Sequence, residues 1–356
     1  MVNNLKVALV HDDLVQWGGA ERMLAALCEV FPQAPIYTSV FDSKNSLLKQ
    51  KFASKKVYTS FLQNIPGWKS FYRALLPLYP LAFEQFDFSE FDLVISQTTR
   101  FAKTILTKPG TRHICYCHTP PRFLWNFSGE KVSAILKPYF DFLRRYDLVS
   151  SHRVDQWVAG SKNAQNRIKQ VYNQDSEVIY PFVEMERFKD IEIFDGGYLL
   201  VISRLNRYKR IDLIIKAASK LEIPLKIIGV GPDMVNLQQI AGPTVEFLGM
   251  INDELLNRVL GGCKALVVAA EEDFGLTPLE AQALGKPVIA YGKGGALETV
   301  IDGKTGYLFN NQSVEEIINA LDKLDKQGYN KTWCVKQAAG FSKERFSSGF
   351  KGLIDK

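Results

Sequence analysis

The 356-residue sequence predicts two doubly wound α/β domains. Three observations predict it. At roughly 150 residues per domain, the length suggests two domains. Short apolar runs without alternation recur along the chain, as in parallel strands covered on both faces. Stretches with apolar residues at helical spacing fall between those runs in both halves. In such sheets ligands bind outside the carboxyl ends of the strands. The cleft between two facing domains is the default site.

The first half opens with a strand over 5–10, ending at His11-Asp12-Asp13. Gly18-Gly19-Ala20-Glu21 follows, then Met23, Leu24, Ala26, Leu27 and Val30 at helical spacing. That order is strand, glycine loop, helix. Further strands are expected at 36–41, 93–96, 113–117, 157–159 and 178–180. A polar link near 181–197 carries Pro181 and Gly196-Gly197. Beyond it, strands are expected at 198–203, 225–230, 245–248, 265–269, 288–291 and 306–309. Helices are expected at 211–221, 253–263, 278–284 and 314–324. The expected domains are 1–181 and 182–335, with 336–356 packing back on the first.

Composition narrows the class. Hydrophobic residues make up 46% and charged residues 23%, which excludes a disordered or fibrous chain. No apolar run reaches the ~18 residues of a membrane-spanning helix. MVNNLKVALVHDD reads as a first strand and not as a signal peptide, so a soluble cytoplasmic protein is expected. The cysteines, Cys28, Cys115, Cys117, Cys263 and Cys334, are odd in number and lack paired zinc spacing. They read as reduced thiols. Residues 1–180 hold 22 Lys+Arg against 15 Asp+Glu, while the remainder holds 22 against 23. An anionic partner of the first half is implied: nucleic acid, a membrane surface or a phosphorylated lipid.

Four places carry candidate chemistry, each just after an expected strand. Gly18-Gly19 before a helix N-terminus suits a phosphate; an ordinary tight turn uses the same residues. Arg204 and Lys209, in SRLNRYKRIDL, put two cations beside a helix N-terminus, where pyrophosphate is a natural guest; a solvated basic loop is the plain alternative. Glu272 and Glu280 bracket EEDFGLTPLEA. Pro278 suits a first helical turn, which leaves Glu272 in the loop and Glu280 inside the helix. Carboxylates there reach sugar and ribose hydroxyls, and Gly275 lets amides approach phosphate; helix N-terminal preference accounts for the same acids. His118, opening HTPPR, is placed to act on a proton or a hydroxyl. His113 lies inside its strand and reads as packed. No His, Asp or Glu cluster has metal-ligand spacing, so no metal is expected.

Together these residues resemble the retaining GT-B glycosyltransferases of family 4 over most of the chain. The resemblance rests on Glu272–Glu280, on SRLNRYKRIDL, on VALVHDDLVQWGGAER and on HICYCHTPPRFLW. The last two look like the bacterial polysaccharide mannosyltransferases that build O-antigen or exopolysaccharide units. The resemblance implies that Gly18 and Gly19 lie against donor phosphates and that Arg204 and Lys209 neutralise the leaving diphosphate. Glu280 would bind ribose, and Glu272 the donor sugar, with amides of Phe274, Gly275, Leu276 and Thr277 nearby. His118 would contact the sugar at the reacting carbon. Asp12 and Asp13 would approach acceptor or donor hydroxyls. Relatives often read S-S-S-H where this chain has Ser96-Gln97-Thr98-Thr99.

The implied reaction moves mannose from GDP-mannose to a lipid-linked glycan, without a metal or other cofactor. The stretch 47–80 interleaves Lys49, Lys51, Lys55, Lys56, Lys69 and Arg73 with Phe52, Phe61, Trp68, Phe71 and Tyr72. It suits an anionic membrane surface, hence a peripheral place on the inner face of the cytoplasmic membrane. A surface helix pair is the plain alternative. Rival readings are a UDP-sugar transferase, a nucleotide-sugar 2-epimerase and a basic nucleic-acid module. The last lacks a recognition motif, and no nucleic-acid partner is expected. An oxidoreductase is disfavoured because no GxGxxG follows the first strand.

Overall fold

A computed structural model describes residues 5–71, 74–127 and 136–354. The chain forms two compact units. One comprises the residues up to Pro181 and those from Glu344 on; the other is Phe182–Lys343.

Among the described residues, the first unit carries a seven-stranded parallel sheet. Its strands are β1 (Val7–His11), β2 (Ile36–Thr38), β3 (Val57–Thr59), β4 (Leu93–Thr98), β5 (Arg112–Cys117), β6 (Gln156–Ala159) and β7 (Ser176–Val178). The order is β3-β2-β1-β4-β5-β6-β7. The strand order therefore reverses between β1 and β4, which pair from Val7↔Leu93 to His11↔Gln97. The loops leaving these two strands flank that switch point, where open α/β sheets receive ligands. β1 and β4 are buried along their whole length, which accounts for their unbroken apolar runs.

Three strands of this sheet differ from the sequence expectation, β2 ending at Thr38 where 41 was expected. β3 was not anticipated, because it is a three-residue edge strand with Tyr58 45% exposed. β7 lies earlier than 178–180. Its ladder pairs Trp157↔Ser176 and Ala159↔Val178, so its apolar residues trail the strand.

The second unit carries β8 (Tyr198–Ile202), β9 (Leu225–Ile228), β10 (Val245–Gly249), β11 (Cys263–Val268), β12 (Val288–Tyr291) and β13 (Gly306–Phe309). The order is β10-β9-β8-β11-β12-β13, all parallel, so the reversal falls between β8 and β11. Its core joins Leu199, Val201, Ile227, Val267 and Ile289 of the strands to Ile211, Ile214 and Ile215 of the helix Ile211–Lys220. The helix Leu276–Ala283 starts two residues before the expected 278.

The helix Lys331–Ala339 packs on Leu276–Ala283 within this unit. Residues from Glu344 on group with the first unit, later than the expected 336. There Phe346 and Phe350 meet Tyr116 edge-on, at 5.8 and 5.4 Å between ring centroids.

Candidate active site

In the second unit, glycines seat each loop of the switch point against a neighbouring loop. Leu205 is fully buried, and its N–H donates to the Val230 carbonyl at 3.0 Å. A Cβ on Gly229, whose φ is +128°, would lie 1.9 Å from the Ser203 carbonyl oxygen. One on Gly231 would lie 2.3 Å from that of Leu205. The loop bearing Arg204 is thus seated on backbone that only glycine can supply. Arg204 itself is exposed. Lys209 closes a 3-10 turn, Arg207–Lys209, directly before the helix Ile211–Lys220. Its ammonium pairs with the Glu272 carboxylate, the two side chains being 11% and 24% exposed. Two residues nominated separately from the sequence are therefore one ion pair at the β8/β11 reversal.

The loop carrying Glu272 is backed in the same way. The Gly295 N–H donates to the Glu272 carbonyl at 2.8 Å. A Cβ at Gly295 would stand 2.2 Å from Phe274 Cα. Phe274 is buried and meets Phe341 edge-on at 5.4 Å. Gly275, at φ +93°, caps the helix Leu276–Ala283 without a side-chain bond, so the Leu276 and Thr277 amides open that helix. Glu280 lies inside the helix, as expected from Pro278. Its carboxylate accepts from Arg187 at 3.0 Å, and Arg187 also donates to Asn257 at 3.3 Å. Arg187 and Asn257 were not nominated. They are 93 and 23 positions from Glu280 by number, and no local pattern links them.

In the first unit the loop after β4 is fastened by buried charge. Asp12 Oδ2 accepts from the Thr99 and Arg100 N–H groups at 2.6 and 2.9 Å. Its Oδ1 accepts from those of Phe101 and Ala102 at 2.9 and 2.8 Å. Burial pushes the Asp12 carboxyl up, but Arg100 and the Thr99 and Ala102 amides outweigh it and hold it below the usual carboxylate range. Asp13 pairs with Arg100 at 2.6 Å. Both aspartates, expected near acceptor or donor hydroxyls, thus have these oxygens committed to the protein. Lys103 and Asp147, both fully buried, form an ion pair. Trp125 and Tyr172 also donate to Asp147, at 2.8 and 2.7 Å.

Gly18 caps the helix Gly19–Val30, and its N–H donates to Glu21 at 2.9 Å, so that amide serves the helix. His118 follows β5. Its Nε2 lies 2.7 Å from Gln97 Nε2, and its ring meets Tyr116 edge-on at 5.0 Å. His113 is buried between the Ser96 hydroxyl and the Arg153 carbonyl, and burial lowers its pKa to about 4.

Of the basic and aromatic stretch, Lys49, Lys51, Lys56 and Phe61 are exposed, while Phe52 is buried. Lys55 donates to the Phe31 carbonyl at 3.1 Å, and Lys69 pairs with Asp42 at 2.5 Å. Tyr72, Arg73 and the Phe71 side chain lie outside the described residues. Among the described residues, no cluster of three or more His, Cys, Asp or Glu side chains is placed to hold a metal ion. No helix among them is long and apolar enough to cross a membrane.

Two family models match the chain. "Glycosyltransferase Family 4" covers residues 17–187, and "Glycosyl transferases group 1" covers 183–339. The α-1,3/1,6-mannosyltransferase ALG2 of Dictyostelium discoideum is 26% identical over 90% of this chain and 89% of its own. A glycosyltransferase of Methanocaldococcus jannaschii is 25% identical over 89% and 85%. Among solved structures, Anabaena HepE in complex with UDP has TM-score 0.72 at 18% identity, covering 99% of this chain and 100% of that one. Sucrose-phosphate synthase of Thermosynechococcus elongatus has TM-score 0.73 at 16% identity, covering 99% and 98%. These two show likeness of fold. With its two parallel-sheet units and with both family models placed along it, the chain belongs to glycosyltransferase family 4 and has the GT-B fold.

Proposed function

We propose that the protein is a retaining mannosyltransferase. It moves mannose from GDP-mannose to a lipid-linked glycan in cell-surface polysaccharide synthesis. The Lys209–Glu272 pair at the β8/β11 reversal carries this reading. It sets a cation for a leaving diphosphate against a carboxylate for sugar hydroxyls, beside the open amides of Leu276 and Thr277. Arg204 adds a second cation. Glu280, steadied by Arg187, binds the ribose. In the reaction the bond from sugar C1 to the phosphate oxygen breaks, and a bond from C1 to the acceptor oxygen forms on the same face. The acceptor proton passes to the departing diphosphate. His118 contacts the sugar near C1. Exposed Lys49, Lys51 and Lys56 support docking on an anionic membrane, where a lipid-linked acceptor resides. Mannose is favoured by the ALG2 relatives, the bacterial branch by the motifs around Gly18 and His118. A UDP-sugar is the second reading, favoured by the fold shared with the UDP complex of HepE.

Thermal unfolding with GDP, UDP and ADP, each with and without EDTA, tests the donor. At ~100 times its Kd a ligand adds ~2.7 kcal/mol, worth roughly 5–10 °C at this size. GDP should raise the midpoint, with EDTA making no difference. A rise with UDP alone would replace mannose by a UDP-sugar, and no rise with any nucleotide would overturn the donor site. Lys209→Ala should slow transfer by roughly 10²–10³-fold; an unchanged rate would remove Lys209 from the diphosphate.

A further inference from the structure

We infer that Gln97 is a positioning residue for His118, its carboxamide deciding which imidazole nitrogen carries the hydrogen. The part His118 plays in transfer rests on the proposed function; the tautomer rests on geometry.

Gln97 stands at the end of β4, 1% exposed, in register with His11 on one side and Tyr116 on the other. Its Nε2 lies 2.7 Å from the Ala20 carbonyl oxygen and 2.7 Å from His118 Nε2. A carbonyl oxygen only accepts, so the Gln97 atom facing Ala20 is the NH₂ group. The flipped amide would set oxygen against oxygen at that distance. The second hydrogen of the same NH₂ therefore points to His118 Nε2, which accepts it. A ring nitrogen that accepts carries no hydrogen, so the His118 hydrogen sits on Nδ1.

The ring is held besides by the Tyr116 edge, and the His118 N–H donates to the Thr98 carbonyl at 3.0 Å. His118 thus serves as a neutral hydrogen-bond donor through Nδ1, and Nε2 is not its working base. Ala20 lies in the first turn of the helix that follows Gly18-Gly19, so one amide also ties His118 to that turn. Gln97 Oε1 is buried and has no partner among the described residues. The local sacrifice of one acceptor fits a residue placed for its two donor bonds.

NMR of the histidine ring nitrogens in the full chain tests this, with His118→Gln used to assign the signal. Wild-type His118 should be protonated at Nδ1. Gln97→Leu should populate the other tautomer, and Gln97→Glu, which offers an acceptor, should draw the hydrogen to Nε2. Gln97→Leu should slow transfer on the order of tenfold to a hundredfold, chiefly in kcat. It should add nothing on a His118→Gln background. Wild-type His118 protonated at Nε2 would overturn the inference, as would a tautomer unmoved by both Gln97 variants. The NMR arm needs no sugar donor. A chain with the expected tautomers and no transfer would refute the proposed function and leave the Gln97 assignment standing.

Discussion

In the first unit the loop leaving β4 is held by charge, with Asp12 receiving four backbone amides and Lys103 sealed against Asp147. In the second unit the loops leaving β8 and β11 are held by backbone contact across Gly229, Gly231 and Gly295. The difference decides what remains for a ligand. Asp12, Asp13, Lys103 and Asp147 are 5% exposed or less and already paired. Glycine packing consumes no charged group, so Arg204 stays exposed and the Lys209–Glu272 pair keeps partial solvent access. The basic excess of the first half lies outside this scaffold, in which the acids Asp12, Asp13 and Asp147 outnumber the cations Arg100 and Lys103, while the near-neutral second half carries the cations that suit a diphosphate.

Three experiments break or sharpen this contrast. The largest effect is expected from Asp147→Ala, which strands the fully buried Lys103 ammonium. Removing one partner of a buried pair costs about 3–5 kcal/mol, so thermal unfolding should fall by roughly 6–20 °C. An unchanged midpoint would mean that charge does not hold the first unit.

Next comes pH. Below pH 6.5 the unfolded chain takes up a proton that buried His113 refuses until about pH 4. The stability present above pH 6.5 should therefore drain away as pH falls toward 4, by roughly 3 kcal/mol in all. Urea titrations at a series of pH values should show this slope in the wild type and its loss in His113→Gln. Equal slopes in both would remove His113 as the source.

The smallest effect is expected from Gly295→Ala. Its Cβ would sit 2.2 Å from Phe274 Cα, so the backbone must move. Overpacking of this kind costs about 1–3 kcal/mol. The displaced Phe274–Gly275 loop should also weaken the nucleotide-induced shift in midpoint. A silent substitution would mean that the loop does not depend on that contact.

The strands were legible where burial on both faces writes a continuous apolar run, as at Val288–Tyr291 and Gly306–Phe309. β3 escaped because its burial is partial and it has a neighbour on one side only. Arg204, Lys209, Glu272 and Glu280 were nominated from short motifs, each local in sequence. The pairings were not legible. Asp12 binds a loop 87 to 90 positions away, and Arg187 reaches Glu280 across 93. Gln97 stood out only as a departure from a family pattern. Contacts of this range are fixed by strand order, which the spacing of residues does not reveal.

The return of residues 344–354 to the first unit has a consequence for biosynthesis. The second unit is one continuous stretch, Phe182–Lys343, set as an insert within a discontinuous first unit. On a ribosome the insert is complete before its host. Tyr116, emerging early, waits for Phe346 and Phe350 until the whole of the second unit has been translated. The usual amino-terminal-first order of completion is therefore reversed for these two units, and the β5 end that bears His118 matures only after the unit that follows it in the chain.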